Sequence, residues 1–267
     1  MRPEAEGSCS PEWGVSLNRI SKQFSTPDRP VIALTDVSME VRRGEFVCLL
    51  GPSGCGKSTL LNIVAGLSRP SSGDVVVMGQ PVKDPVASLG VVFQRDLLLP
   101  WRTVLQNVLL QAEIRGLPKS KSVDRARELL AAVGLEGFAD RYPSELSGGM
   151  AQRVAICRAL LHDPDLLLMD EPFAALDAIT RDQMGIELQR LWLGNDKTVL
   201  FVTHSIPEAV YLADRVLVFT PAPARIAADV SIEFERPRRL SVRDSPEFVK
   251  YLVQLRGYFE SFGVLHE

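Results

Sequence analysis

Five short apolar runs punctuate the chain: Phe46 to Leu50, Val91 to Phe93, Leu166 to Met169, Val199 to Val202 and Val216 to Phe219. None alternates as a half-exposed strand does, so each predicts a strand buried on both faces, as in a parallel sheet. Gly51 ends the first run, and from Lys57 onward Leu60, Leu61, Val64 and Ala65 recur at helical spacing, with Gly66 in the place of a C-terminal cap. The local order is therefore strand, glycine loop, helix. The later runs alternate with helix-like segments, the pattern of an α/β core. From about residue 97 to residue 161 the pattern is helical throughout, with Ala126, Leu129, Leu130 and Val133 on one face and Gly134 beyond. This predicts an α-helical subdomain inserted into the core. Turn-bounded runs at Ile32 to Val41 and at Asp74 to Gly79 predict a flanking antiparallel β subdomain. After Pro237 a polar, arginine-rich stretch leads to an amphipathic helix near Phe248 to Phe259, to which the sequence assigns no role.

Composition narrows the class. The 267 residues are 46% hydrophobic and 24% charged, which suits a folded protein and excludes a disordered or collagen-like one. No apolar run approaches the ~18 residues of a membrane span. Met1 to Gly7 lacks the apolar centre of a signal peptide, so the chain is expected to stay in the cytosol, with its first residues loose. A net charge of −3 gives no basic field, so nucleic acid is not an expected partner. Cys9, Cys48, Cys55 and Cys157 form no C-x-x-C pair and share no metal-ligand spacing with the histidines, which predicts reduced thiols and no zinc site.

The chemistry begins at Gly51-Pro52-Ser53-Gly54-Cys55-Gly56-Lys57-Ser58, followed by Thr59, a full match to G-x-x-x-x-G-K-[ST] between a predicted strand and a predicted helix. Glycines let backbone N–H groups turn around a β-phosphate, and the helix N-terminus adds its dipole at the same point. Lys57 supplies a charge to the β- and γ-phosphates, and Ser58 offers a hydroxyl to Mg²⁺. The motif predicts binding of ATP or GTP. Cys55, inside the loop, is expected to be a reactive thiolate facing the phosphates. Downstream, the buried run Leu166 to Met169 ends in Asp170-Glu171. Strand alternation sends these two acids to opposite faces, which assigns Asp170 to the metal's water shell and Glu171 to the water that attacks the γ-phosphate.

A second glycine element, Leu146-Ser147-Gly148-Gly149, opens another helix but has no lysine of its own. With this element, the phosphate loop and the Asp170-Glu171 pair together, the chain resembles the nucleotide-binding subunit of an ABC transporter, over roughly residues 15–235 with a helical extension at 236–267. The resemblance implies two copies that sandwich two ATPs head to tail, so Ser147, Gly148 and Gly149 of one chain face the γ-phosphate held by the other. It further implies that Gln94 contacts Mg²⁺ and the attacking water, that His204 contacts the γ-phosphate, that Phe24 stacks on adenine and that Asp177 couples the two sites. Met150 and Ala174 stand where the family more often has glutamine and serine.

Residues 94–108, with the apolar run Leu97 to Trp101, and the segments Asp177 to Arg181 and Glu208 to Arg215 are similar to importer ATPases for nitrate, aliphatic sulfonates and taurine. The apolar run Leu97 to Trp101 falls in what should be a surface loop, where an exposed cluster marks a partner surface, here taken as the permease dock. The resemblance implies two membrane permease subunits, an extracytoplasmic substrate-binding protein acting through them, and a peripheral position on the cytoplasmic face of the membrane. An ABC ATPase outside transport, such as one in cluster assembly, is the alternative. DNA-repair members carry long coiled coils and translation factors carry two such domains, and neither feature occurs here. A monomeric GTP switch has no use for Ser147.

Overall fold

The computed structural model describes residues 12–25, 29–193 and 197–264. Cys9 and the rest of the N-terminal stretch expected to be loose, up to residue 11, lie outside the described residues. In chain order the first elements are β1 (Trp13–Phe24), β2 (Val31–Arg42), β3 (Phe46–Leu50), α1 (Lys57–Val64), β4 (Ser72–Val77), β5 (Gln80–Pro81) and β6 (Gly90–Val92). Three helices follow: α2 (Val104–Arg115), α3 (Lys119–Ala132) and α4 (Gly148–Leu160). The chain then alternates through β7 (Leu166–Asp170), α5 (Ala178–Trp192), β8 (Thr198–Thr203), α6 (Ile206–Leu212) and β9 (Arg215–Phe219), and ends in β10 (Ile226–Ser231) and α7 (Pro246–Ser261).

All five apolar runs form strands of one six-stranded sheet, in the order β10-β9-β3-β8-β7-β6. Every pair among β9, β3, β8, β7 and β6 is parallel, and β10 closes one edge antiparallel. The strands are apolar on both faces because each face is covered. Phe46, Cys48 and Leu50 of β3 join the cluster formed with α2 to α7, whereas Val47 and Leu49 join the one beneath α1 and β1. The same division separates Leu167 and Met169 from Leu166 and Leu168 in β7, and Val199 and Phe201 from Leu200 and Val202 in β8. The flanking antiparallel sheet is real, with the order β2-β1-β4-β5. Its central strand β1, rich in polar residues, and the edge strand β10 have no continuous apolar run and were not among the strands the pattern predicts.

Strand order, not chain order, sets what meets at the carboxyl ends. Leu50 pairs with Thr203, Val202 with Asp170, and Met169 with Val92. The loops that begin at Gly51, His204, Glu171 and just before Gln94 therefore stand side by side, at strand spacings of about 5 Å. This row is the crevice in which open parallel sheets bind ligands.

The stretch expected to be helical throughout is interrupted. Residues 97–103 form a loop, because Asn107, fully buried on α2, spends its side chain on that loop rather than on packing. Its Oδ1 accepts from Leu99 N at 2.7 Å, and its Nδ2 faces the carbonyls of Leu99, Arg102 and Thr103 at 3.0–3.1 Å. Arg158 on α4 donates to the carbonyls of Asp96 and Leu97 from the other side. Leu97 is thereby held at a φ of 48°, a left-handed conformation that a bulky side chain rarely adopts.

The polar stretch after Pro237 is not a free linker but a strap pinned to the core through the buried Arg238. Arg238 is 5% exposed and donates to the carbonyls of Val210, Tyr211, Ala213 and Ile232 at 2.7–3.3 Å, so it satisfies the C-terminal carbonyls of α6. Burial pushes its guanidinium pKa down to about 10. Gln189 on α5 accepts from the Arg238 backbone N–H and donates to its carbonyl. Arg236 stacks over Trp192 at 4.2 Å and pairs with Asp214 at 2.8 Å. Beyond the strap, α7 buries Phe248, Leu255 and Phe259 in the helical cluster. Arg238→Met leaves several buried carbonyls without donors, so it is expected to cost about 3 kcal/mol or more of unfolding free energy in denaturant titrations. Arg256→Met on the exposed side of α7 is expected to stay within about 0.5 kcal/mol.

Candidate active site

The glycine loop takes the shape its motif requires. Gly54 and Gly56 have φ of 74° and 120°, and a Cβ on Gly56 would come within 2.9 Å of the Ala33 carbonyl oxygen. A side chain at either position would strain the loop. Lys57, the first residue of α1, is 4% exposed and folds back over the loop, donating to the carbonyls of Gly51 and Pro52 at 2.7 Å each. No carboxylate pairs with it among the described residues. A buried ammonium bonded to two carbonyls and the Cys55 sulfur, with Asp170 acting on it only from beyond ion-pair distance, is a standing attraction for an anion. Ser53, Gly54 and Ser58 are open to solvent along the same turn, and Thr59 is half-buried behind them.

The exposed, reactive side chain expected at Cys55 is not there. Cys55 is 2% exposed and packs in the cluster beneath the loop, where its sulfur would lie 3.2 Å from a Cβ built on Gly51. The side chain between the loop's left-handed glycines points inward, into the cluster that also holds Phe219, with its sulfur 3.7 Å from Lys57 Nζ. Cys48 and Cys157 are also free and buried, and burial raises the pKa of each, to about 12 for Cys157.

Across the crevice, Ser58 Oγ donates to Asp170 Oδ1 at 2.9 Å. Burial raises the Asp170 pKa, the Ser58 hydrogen bond lowers it, and repulsion from Glu171 adds to the rise. Glu171 does face elsewhere, but strand alternation is not the reason. β7 ends at Asp170, and Glu171 turns into the left-handed region at a φ of 45°, its N–H donating to the Val202 carbonyl at 3.0 Å. Such a conformation in a glutamate costs on the order of 1 kcal/mol and is the kind of strain that functional turns hold. It brings Glu171 Oε2 to 3.3 Å from His204 Nδ1 and to 3.5 Å from Gln94 Nε2, the long limit of a hydrogen bond. Three side chains from three strand ends thus meet at one carboxylate oxygen.

The hydroxyl of Ser58 and the carboxylate of Asp170 are hard oxygen donors, which suits Mg²⁺. No group of three or more His, Cys, Asp or Glu side chains that could hold a metal occurs among the described residues. Two protein oxygens fit an ion that takes its remaining ligands from water and phosphate.

The remaining predicted residues stand apart from this cluster. Ser147 caps α4, its Oγ accepting from Met150 N at 3.3 Å, and Gly148 faces open space. Gly149 lies against Leu176, where a Cβ would meet Cδ2 at 3.1 Å. None of these three residues makes a hydrogen bond to the phosphate loop. Asp177 caps α5, accepting from Thr180 N at 3.0 Å and Thr180 Oγ1 at 2.6 Å, and these bonds hold its carboxyl below the usual range. Phe24, 42% exposed, is not a core residue. It pairs with Val31 at the end of β1, on the strand pair whose Ala33 touches the loop, and Lys22 Nζ lies 4.9 Å from its ring centroid.

Sequence reasoning missed Glu208, Thr203 and Arg181: behind His204, the Thr203 hydroxyl donates to the buried Glu208, and the half-buried Arg181 forms an ion pair with it. A carboxylate on the first turn of a helix reads as a dipole partner, and only the strand order reveals what it faces.

The comparisons agree with this geometry. The family model described as ABC transporter matches residues 34–174. An uncharacterized ABC transporter ATP-binding protein of Methanocaldococcus jannaschii is 51% identical, covering 89% of this chain and 88% of its own length. A taurine import ATP-binding protein of Rhizobium johnstonii is 46% identical, covering 87% and 91%, and a nitrate import ATP-binding protein of Synechococcus elongatus is 45% identical, covering 86% of each. Among solved structures, a dimeric ATP-binding cassette bound to ADP and Pi superposes with a TM-score of 0.76 at 33% identity, over 83% of this chain and all of that one. A glycine loop gripping an uncompensated lysine, an acidic strand end opposite it and relatives of this closeness lead to one assignment: the chain belongs to the ABC transporter family, as one of its ATP-binding subunits.

Proposed function

We propose that this chain is the ATP-hydrolysing subunit of an importer, with residues 15–235 as the ATP-binding domain and residues 236–267 as a helical extension strapped to it. The observation that carries the reading is the buried ammonium of Lys57, which has two carbonyl partners and no carboxylate. An ATP polyphosphate supplies the missing negative charge. Lys57 then exchanges the Gly51 and Pro52 carbonyls for β- and γ-phosphate oxygens, while backbone N–H groups of the loop and the α1 N-terminus hold the β-phosphate. Ser58 and Asp170 would hold Mg²⁺ together with Gln94, and the ion, when bound, offsets charge on the transferring phosphoryl group.

Glu171 Oε2 accepts the proton of the attacking water. Gln94 and His204, which converge on that oxygen, orient the water and the γ-phosphate. Phe24 offers its ring to the adenine. Ser147, Gly148 and Gly149, which make no bond to their own phosphate loop, complete the site of a second copy in a head-to-tail dimer, and Asp177 lies at the junction of the two sites.

Permease docking is supported by the loop that Asn107 and Arg158 hold rigid. It presents Leu97 at 52% and Trp101 at 70% exposure, beside a cavity of about 600 Å³ lined by Phe93, Leu97, Leu110 and Ile114, with Arg115 and Arg158 at its side. An exposed apolar cluster on a stiff backbone is the form of an interface anchor. No helix among the described residues is long and apolar enough to cross a membrane, so two separate permease subunits provide the path and this chain sits at their cytoplasmic side. The taurine and nitrate import relatives favour a small anionic solute, a sulfonate or nitrate, delivered by an extracytoplasmic binding protein that acts through the permease.

Three outcomes test the reading. Glu171→Gln removes the proton acceptor and keeps the shape, so the ATPase rate should fall about 10²- to 10⁴-fold while equilibrium ATP binding persists and gel filtration with ATP shows a stable dimer. A wild-type rate would reassign the base. Ser147→Arg and Lys57→Ala should each be inactive alone, whereas mixing the two chains should restore partial ATPase activity, because one of the two composite sites then carries no defect. Failure to recover, with mixed dimers verified by mass, would show that the sites are not shared or cannot act singly. Trp101→Ala should keep its basal ATPase rate and melting temperature but lose co-purification with the permease, at a docking cost of about 2 kcal/mol, roughly thirtyfold in affinity. Unchanged co-purification would place the docking surface elsewhere.

A further inference from the structure

Glu208, on the first turn of α6, is buried, and neither the phosphate loop nor the carboxylate pair uses it. Its Oε2 accepts from Thr203 Oγ1 at 2.7 Å. The same Thr203 oxygen accepts from Ser205 N at 3.0 Å, and Ser205 Oγ accepts from Glu208 N at 3.4 Å. His204 stands between Thr203 and Ser205, so both of its chain neighbours are tied into one ring of hydrogen bonds that closes on Glu208. The other carboxylate oxygen, Oε1, lies 3.2 Å from Arg181 Nε. Arg181 also donates through Nη2 to the Leu176 carbonyl at 3.0 Å, and its own N–H donates to the Asp177 carbonyl at 2.8 Å. A continuous set of hydrogen bonds, closed by the Arg181–Glu208 ion pair, therefore runs from the Asp177 turn, through Arg181, Glu208 and Thr203, to the backbone on either side of His204.

We propose that Glu208 is a positioning residue for His204, and that its pair with Arg181 locks the His204 loop to the Asp177 turn so that the two shift as one body. The inference rests on the reading of His204 as the γ-phosphate histidine. Burial of a carboxylate is costly unless it is paired and hydrogen-bonded, and this one is satisfied only while the Thr203 hydroxyl and the Arg181 guanidinium stay where they are. Burial also raises the Glu208 pKa, which the Thr203 hydrogen bond and the Arg181 charge oppose. The arrangement has few alternatives, so a displacement of the Asp177 turn carries the imidazole with it. Because His204 Nδ1 approaches Glu171 Oε2, that displacement is felt at the oxygen that accepts the water's proton.

The test uses the full chain and single-turnover ATP hydrolysis, which resolves rates well below steady state. Glu208→Gln keeps the shape but removes the charge that holds Arg181. Thr203→Val removes the hydroxyl with little change of volume, and Arg181→Met breaks the link to the Asp177 turn. Each is expected to lower the hydrolysis rate about 10- to 100-fold, the scale of a small misplacement of a reacting group, with the ATP dissociation constant within about twofold, since Lys57 and the phosphate loop are untouched. In a His204→Ala background the same substitutions should produce no further loss, because their effect passes through a side chain that is gone. Full additivity in that background, or wild-type rates in the folded variants, would overturn the inference while leaving the assignment of His204 intact. If His204→Ala alone keeps a wild-type rate, the assignment of His204 falls and the inference falls with it. Should Glu208→Gln lose its cooperative melting transition, Thr203→Val and Arg181→Met carry the same comparison.

Discussion

Parallel strands buried on both faces cannot carry polar side chains along their length, and the architecture of the site follows from that constraint. β3 is apolar throughout, and β7 and, after Thr198, β8 are apolar until their last residue, so polar chemistry is pushed to the carboxyl ends, where the chain turns out of the sheet. Pairing then decides which ends are neighbours. The order β3-β8-β7-β6 sets the phosphate loop beside His204, His204 beside Glu171, and Glu171 beside Gln94, although these residues are scattered along the chain. The convergence of Gln94, Glu171 and His204 is a by-product of hydrophobic registry, and this gives it rigidity without a dedicated scaffold.

Within that frame, two charges are handled in opposite ways. Lys57 is buried with no carboxylate within ion-pair distance among the described residues, an arrangement that favours an anion. Glu208, a few ångströms of backbone away from His204, is buried with its charge answered by Arg181 and Thr203. The first arrangement stores binding free energy for a ligand, whereas the second spends its interactions on holding geometry. Arg238 belongs with the second, since its guanidinium serves backbone carbonyls and makes an extended C-terminal segment part of the core.

Much of this was legible in the sequence, for identifiable reasons. Doubly buried strands announce themselves as continuous apolar runs, and the phosphate loop announces itself because its glycines and lysine are needed at fixed offsets. The acidic strand end at Asp170 was legible too. What could not be read was anything set by non-local contact. β1 carries only a short alternation, Trp13, Val15 and Leu17, before polar residues interrupt it, and its place is set by its two neighbours. Cys55 turns inward into a cluster completed by residues far along the chain, Phe219 among them. Asn107 looks like one more polar residue on a helix until the carbonyls of the preceding loop are placed around it. The arginines after Pro237 match the composition of a solvated linker, and only the end of α6 explains them.

The C-terminal strap also bears on how the protein is made. β3 emerges early from the ribosome, but its partners β8 and β9 lie some 150 residues later, and the carbonyls at the end of α6 have no donor until Arg238 has been synthesised. The glycine loop is therefore translated long before the sheet that shapes it can close. Nascent chains carry exposed apolar strands through most of their synthesis, the condition under which chaperone protection is most needed. Completion of the strap, rather than of the nucleotide motif, marks the moment at which the subunit becomes a stable body.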